Sequence, residues 1–257
     1  MAFSPDYRAY PGATGTTAAS AALDAGLRAY MLRVYNWMTS GLLLTGVVAY
    51  AIANTSLINA FYHQVPTPTG MAWQPTGLAM ISVFAPLGFV LVLSMGVNRL
   101  SRSAAQALFW VFAAAMGASL TNIFLIYTSG SIVRVFFITA ATFAAMSIYG
   151  YTTRADLSRF GSFLMMGLIG IIIAGLVNMF IGSTALQFAI SVIGVVVFVG
   201  LTAYDTQRIK ATYVQFAYAD GPDMAAKRSV YDALSLYLNF INLFMLLLQL
   251  MGNRNSN

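Results

Sequence analysis

The sequence predicts an all-α, polytopic membrane protein in which seven transmembrane helices form one bundle with the seventh at its centre. The first observation is composition, since 59% of the 257 residues are hydrophobic and 8% are charged. A soluble domain carries about 25% charged residues. The second is the presence of seven long apolar segments, and the third is a polar stripe on the last of them. The bilayer is therefore the first predicted partner of this chain.

Each of the seven segments is about long enough to cross a hydrocarbon core of roughly 30 Å as a helix. They cover residues 30–53, 76–97, 104–128, 132–151, 162–182, 186–207 and 229–251. Residues 1–27 are rich in Ala, Gly, Thr and Ser, which predicts a flexible N-terminal tail. Residues 28–257 then form a single membrane domain. The longest outer loop, 54–75, is expected to lie at the membrane interface.

The basic residues predict the orientation. Eleven of the thirteen fall in the tail, the ends of the spans or the loops on one side, and two fall on the other. The positive-inside rule places the N-terminus in the cytoplasm and the C-terminus outside. The basic residues that give the net charge of +6 are accounted for as topology signals, so no nucleic-acid partner is predicted. The two residues on the outer side are Arg134 and Arg254.

The last segment carries polar residues at spacings of 3, 4, 3 and 7, which place them on one helical face. Such a stripe is costly against lipid, so it is expected to face other helices, a hydrated cavity or an ion path. Two other interpretations stay open: Asp232 is a residue of the membrane interface, and the asparagines only hydrogen-bond neighbouring helices to one another. The stripe consists of Asp232, Ser235, Asn239, Asn242 and Gln249.

Asp205 is the acid of greatest interest, because it lies near the cytoplasmic end of the sixth segment and just before Arg208 and Lys210. It is either a helix-end acid paired with a nearby cation or a carboxylate that gates or senses protons. Burial favours the protonated form of a carboxylate, whereas a nearby cation favours the ionised form.

Three classes of membrane enzyme or pigment are disfavoured by residues that the sequence lacks. A serine protease needs a histidine base, and the single histidine, His63, falls in a loop. A retinal pigment needs a lysine in mid-membrane, but Lys210 and Lys227 lie in the sixth loop. An aspartyl protease needs two apposed aspartates. Asp205 could be one of them, and Asp232 is the one residue that could serve as the other. We therefore predict no enzyme and no cofactor, and leave any metal site open.

Two motifs on the last two segments, AYDTQRIK (203–210) and ALSLYLNFINLFMLLLQLMGN (233–253), closely resemble the bacterial Bax inhibitor-1 (transmembrane Bax inhibitor motif) family. Residues 134–173 and 185–194 resemble its middle helices, and the resemblance covers about 28–254. It implies a bundle whose last helix is surrounded by the other six, and a pH-sensitive calcium leak. Some bacterial relatives are described as modulating a membrane-bound ATP-dependent protease. The alternative is therefore a regulator that transports nothing and binds its partner protein through the N-terminal tail.

The resemblance also implies a gate in which two aspartates of the sixth and seventh helices share a proton. The first matches Asp205, but the second position holds Asn239. An amide does not ionise, so a weaker or shifted pH response is expected. The family has an arginine near the cytoplasmic end of its second helix, for which Arg99 is the nearest candidate. The predicted gate residues are Asp205 and Asn239, with Asp232, Arg99, Ser235 and Asn242 as auxiliaries.

Overall fold

A computed structural model describes residues 13–67, 70–96, 99–217 and 221–255. The helices are α1 (Ala13–Asn54), α2 (Ile58–Phe61), α3 (Gly77–Gly96), α4 (Arg102–Ser119), α5 (Asn122–Ile126), α6 (Ser129–Thr152), α7 (Ser158–Ile181), α8 (Thr184–Phe216) and α9 (Pro222–Met251). Two short strands, β1 (Tyr62–Thr67) and β2 (Gly70–Pro75), follow α2. The predicted all-α membrane class is confirmed, since long apolar helices make up almost the whole described chain.

The seven predicted spans correspond to α1, α3, α4 with α5, α6, α7, α8 and α9. Six of them are long and apolar enough to cross a membrane, and α3 contributes a shorter apolar stretch, Gly77–Leu93. Helix α1 begins at Ala13. The predicted boundary at residue 27 therefore falls inside a helix, as the run of alanines, the best helix formers, favours. The first twelve residues of the predicted tail lie outside the described ones.

The outer loop 54–75 folds into α2 and an antiparallel hairpin, which the sequence analysis did not anticipate. Its strands pair in a register that sets Gln64 opposite Trp73. Each strand of a two-stranded sheet has a free edge, so Pro66 is tolerated without loss of a ladder bond in the sheet interior. The hydroxyl of Thr76 donates to the carbonyl of Ala60 at 2.7 Å and connects α2 to the start of α3.

The central position of α9 is confirmed. It packs against α1, α4, α6 and α8, while α3 packs on α4 and α7 packs on α8 as outer helices. In the most apolar stretch of α9, 61% of the residues are buried, compared with 6% in that of α7. Tyr237, Leu236 and Leu243 of α9 are fully buried together with Phe109 and Phe112 of α4. The hydrophobic core of the bundle is therefore formed around α9.

Close backbone approaches hold the neighbouring helices together. At Gly150 of α6, an added Cβ would collide with the backbone of Ala203 on α8. At Gly117 of α4, it would lie 2.7 Å from the carbonyl oxygen of Thr45 on α1. Helices in lipid associate through such small-residue contacts, because lipid tails provide no hydrophobic drive between them.

The C-terminal residues 253–255, which we call the C-terminal clasp, fold back onto the turn between α5 and α6. The amide of Thr128 donates to the carbonyl of Asn253 at 3.0 Å, and the amide of Asn255 donates to that of Ile126 at 2.8 Å. Tyr127 and Arg254 thereby form an antiparallel bridge. The end of α9 is fastened to a neighbouring element by backbone hydrogen bonds.

Candidate functional site

Asp205 lies in the interior of α8, which continues for more than two turns beyond it to Phe216. Its side chain is 9% exposed. The interpretation as a helix-end acid is therefore wrong, although the predicted pairing with a nearby cation is correct, as the contacts below show. A carboxylate buried in this way needs hydrogen-bonding or cationic partners.

Both oxygens of the Asp205 carboxylate have such partners. Oδ2 accepts hydrogen bonds from Nδ2 of Asn239 at 2.7 Å and from Oγ of Ser235 at 2.9 Å. Oδ1 forms an ion pair with the Arg208 guanidinium at 2.9 Å. The same guanidinium donates to Oγ of Ser235 at 3.1 Å, which closes a ring of contacts between α8 and α9. Each of these groups directs a hydrogen-bond donor or a positive charge at the carboxylate.

The predicted contact of Asp205 with Asn239 and Ser235 is thus present in the structure. Ser235 and Asn239 lie four residues apart on α9, so their side chains project from the same face one turn apart. Asn239 is buried, and the side chain of Arg208 is 46% exposed. The ring therefore has a closed inner end at the amide and an open outer end at the guanidinium.

Asp232 lies one turn before Ser235 and connects α9 to α1. Its Oδ2 accepts a hydrogen bond from the hydroxyl of Tyr30 at 2.6 Å. Arg208, Arg228 and Asp205 are near enough to act on its charge. The one carboxylate of the stripe is therefore a neighbour of the Asp205 ring without being hydrogen-bonded to Asp205 itself. We call the ring together with Asp232 and Tyr30 the carboxylate cluster.

Two predicted auxiliaries are not brought to the carboxylate cluster. Asn242 is exposed, and its amide donates to the backbone carbonyl of Leu238 on its own helix at 2.8 Å. Arg99 is exposed in the turn before α4 and forms no ion pair with a described aspartate. Arg208 occupies the role expected of Arg99. Its spacing of three residues from Asp205 is a signal that the sequence does contain.

A second polar group joins α7, α8 and α9 at the opposite end of the bundle. Nε2 of Gln187 donates to Oε1 of Gln249 at 2.7 Å, and the hydroxyl of Ser191 donates to the same oxygen at 3.0 Å. Nδ2 of Asn178 donates to Oε1 of Gln187 at 3.1 Å. Between this amide network and the carboxylate cluster, the α8–α9 contact is apolar, with Leu246 packed on Gly194.

The α8–α9 seam is closed. Asp205 lines none of the three main cavities among the described residues. Within that same part of the chain, no group of three or more His, Cys, Asp or Glu residues could hold a metal ion. Arg208 stands where a cation would meet the carboxylate. A cation could therefore reach Asp205 after displacement of the guanidinium and separation of α8 from α9.

A seven-span helical bundle that buries a carboxylate between its last two helices defines a class of polytopic membrane proteins. Within that class, the chain belongs to the Bax inhibitor-1 family. The family model described as "Inhibitor of apoptosis-promoting Bax1" matches residues 27–256. The match covers all seven predicted spans and the three helices, α1, α8 and α9, that form the carboxylate cluster.

Three relatives are similar over nearly their whole length. An uncharacterised protein of Rickettsia prowazekii is 48% identical over 241 residues, which is 94% of this chain and 96% of the relative. The inner membrane protein YbhL of Escherichia coli is 45% identical over 232 residues, covering 90% and 94%. A protein of Caulobacter vibrioides is 43% identical over 249 residues, covering 97% and 98%. The chain is accordingly a multi-pass membrane protein of this family.

Proposed function

We propose that this protein is a pH-modulated cation leak, with calcium as the ion, in a bacterial inner membrane. The N-terminus and the carboxylate cluster would face the cytoplasm, and the C-terminus the outside. The observation that carries the proposal is the burial of Asp205 between α8 and α9, with Asn239, Ser235 and Arg208 on its two oxygens. A charged group inside a membrane bundle is costly to keep, and such groups mark ion pathways.

In this mechanism the described state is the closed one. Calcium binds oxygen ligands, and Asp205 and the side-chain oxygens of Asn239 and Ser235 are such groups. Arg208 is half exposed, so its guanidinium can swing to water while Asp205 is released to a cation. Opening then requires α8 and α9 to part at the carboxylate cluster. A single carboxylate holds the ion weakly enough for it to leave again, as conduction requires.

The amide at position 239 determines the expected pH response. Two carboxylates in contact repel each other unless one is protonated, and this makes a switch. Asn239 donates to Asp205 at every pH. The remaining titratable carboxylate is Asp232, which faces Arg208 on α8, Arg228 on α9 and Tyr30 on α1. The wild-type response is therefore a weak one that depends on Asp232.

Calcium flux into proteoliposomes that contain an indicator dye tests the proposal at pH 6, 7 and 8. We expect wild-type flux to change less than about twofold over this range. Asn239→Asp should change flux on the order of tenfold, because one shared proton then controls the open state. Asn239→Ala is the matched control, since it removes the amide without adding a carboxylate. Absence of calcium flux from both wild type and Asn239→Asp would overturn the proposal.

The competing proposal is a non-transporting regulator that binds another membrane protein, such as a membrane-bound ATP-dependent protease. The packing at Asp205 favours it, because the carboxylate lines none of the three cavities described above. Deleting residues 1–19 separates the two proposals, since Leu27 is the first buried residue of α1 from position 20 onward. A regulator should lose its co-purifying partner in the deletion variant, whereas a leak should keep its flux.

A further inference from the structure

A long groove runs between α1 and α6 on the outside of the bundle. It encloses about 960 Å³, and its walls are formed by α1 from Arg28 to Ala51 and by α6 from Phe136 to Tyr151. Its floor includes Phe143 of α6 and Phe240 of α9. The central helix is therefore reached from the side through a gap between two of the helices that surround it.

The groove is apolar and as long as a membrane is thick. Leu43 and Val47 on α1 are 68% and 56% exposed, and Ile148 on α6 is 64% exposed. Twenty-three residues separate Arg28 from Ala51, about 35 Å along a helix, which matches a hydrocarbon core of roughly 30 Å. Such a surface in a bilayer is covered by acyl chains or by another protein segment.

The charge at one end of the groove distinguishes these occupants. Arg28 lines that end, is exposed and forms no ion pair with a described acid. Tyr151 also lines the groove, and Lys210 of α8 donates to its carbonyl at 2.9 Å and lies 5.0 Å from the centre of its ring. The lysine also has no carboxylate partner in the described chain. At the other end the groove is lined by Tyr50 and Ala51, without charge.

We propose that the groove binds one diacyl anionic phospholipid of the bilayer. Its phosphate would lie between Arg28 and Lys210, and an acyl chain would pack on Phe143 and Phe240. Basic residues at the mouth of a gap between transmembrane helices are typical of sites for anionic headgroups. A second copy of the chain fits less well, because a two-fold pair would bring the same uncompensated cations together.

The floor of the groove is next to the carboxylate cluster. Phe240 directly follows Asn239 on α9. Ser147, which lines the groove, hydrogen-bonds to Thr206 at 3.2 Å, and Thr206 directly follows Asp205. The bound chain would therefore press on the two helices that hold the gate residues. This consequence for gating depends on the proposed leak function, whereas the binding site itself does not.

Native mass spectrometry of the purified full chain tests the site with phosphatidylglycerol and phosphatidylcholine of equal chain length. We expect several-fold greater retention of phosphatidylglycerol by the wild type. Arg28→Gln combined with Lys210→Gln should abolish this preference. Arg134→Gln is the matched control, because Arg134 is an exposed arginine on α6 outside the groove. Equal retention of both lipids, or an equal loss in the Arg134→Gln variant, would overturn the proposal.

Gly46→Phe provides a second test that leaves every charge in place. Gly46 lines the groove and has open space where a Cβ would be added, so the ring can fill the groove without a clash. We expect this variant to lose bound phosphatidylglycerol, and Gly170→Phe, at an open position on α7, to retain it. A wild-type dimer that Gly46→Phe abolishes would instead assign the groove to a second copy. Flux compared between the two lipids tests gating alone, since binding can persist without flux.

Discussion

The hydrogen bond from Asn239 to Asp205 provides the sharpest stability test of the carboxylate cluster. Replacing Asn239 with alanine removes a 2.7 Å bond to a buried carboxylate and leaves Ser235 and Arg208 in place. Hydrogen bonds to charged groups contribute about 1.5–3 kcal/mol to stability in proteins generally. Polar contacts between membrane helices average about 0.6 and reach about 1.7 kcal/mol. Since Asp205 keeps two partners, we expect a loss of about 1–2 kcal/mol.

The free energy of unfolding can be measured by titrating detergent micelles that hold the protein with a denaturing detergent. A loss of about 1.4 kcal/mol corresponds to a tenfold shift of the unfolding equilibrium, which such a titration resolves. Asn242→Ala is the matched control, because that amide is exposed and donates to its own helix backbone. We expect it to change stability by less than about 0.5 kcal/mol. Equal losses in the two variants would refute the assignment of Asn239 to the ring.

Two further predictions concern packing and a buried hydroxyl, and both use the same titration. Gly150→Ala should destabilise by about 1–3 kcal/mol through overpacking against Ala203, whereas Gly170→Ala, with open space, should cost less than about 0.5 kcal/mol. A loss of stability at Gly170 as large as that at Gly150 would contradict the assignment of the Gly150 loss to the α6–α8 contact. Thr45→Val should cost about 1–3 kcal/mol, because the hydroxyl of the fully buried Tyr237 loses its 2.7 Å partner. Adding Tyr237→Phe should recover much of that loss, and strict additivity would argue against the bond.

The polar stripe of α9 shows how far a sequence pattern can locate a site. Each residue of an α-helix turns by about 100°, so all five residues of the stripe lie within about 100° of one another around the axis. The pattern correctly placed Asn239 and Ser235 on the face that meets Asp205, and Gln249 on the face that meets Gln187 of α8. It did not distinguish Asn242, which is exposed and bonds to its own helix. Helical spacing gives the direction of a side chain around the axis, but not the distance to the neighbouring helix.

Contacts between distant parts of the chain were beyond the sequence pattern. Tyr30 bonds to Asp232 across 202 residues, and nothing in the residues near either one indicates the other. Arg208 was nearer at hand, since it follows Asp205 by three residues, a spacing that brings side chains together on a helix. The hairpin after α2 was missed for another reason. A two-stranded sheet has neither a buried face nor a long alternating pattern to mark it.

If the α8–α9 seam opens as the proposed leak requires, the C-terminal clasp restricts which helix can move. The far end of α9 is bonded through Asn253 and Asn255 to the turn that precedes α6, so sliding α9 along its axis would break backbone hydrogen bonds at Thr128 and Ile126. The beginning of α8 is held differently: among the described residues, side-chain amides make its contacts with α7 and α9. Tilting of α8 against a stationary α9 is thus the cheaper motion. A spin label pair on these two helices should report it, while a pair on α9 and α6 should stay at constant distance.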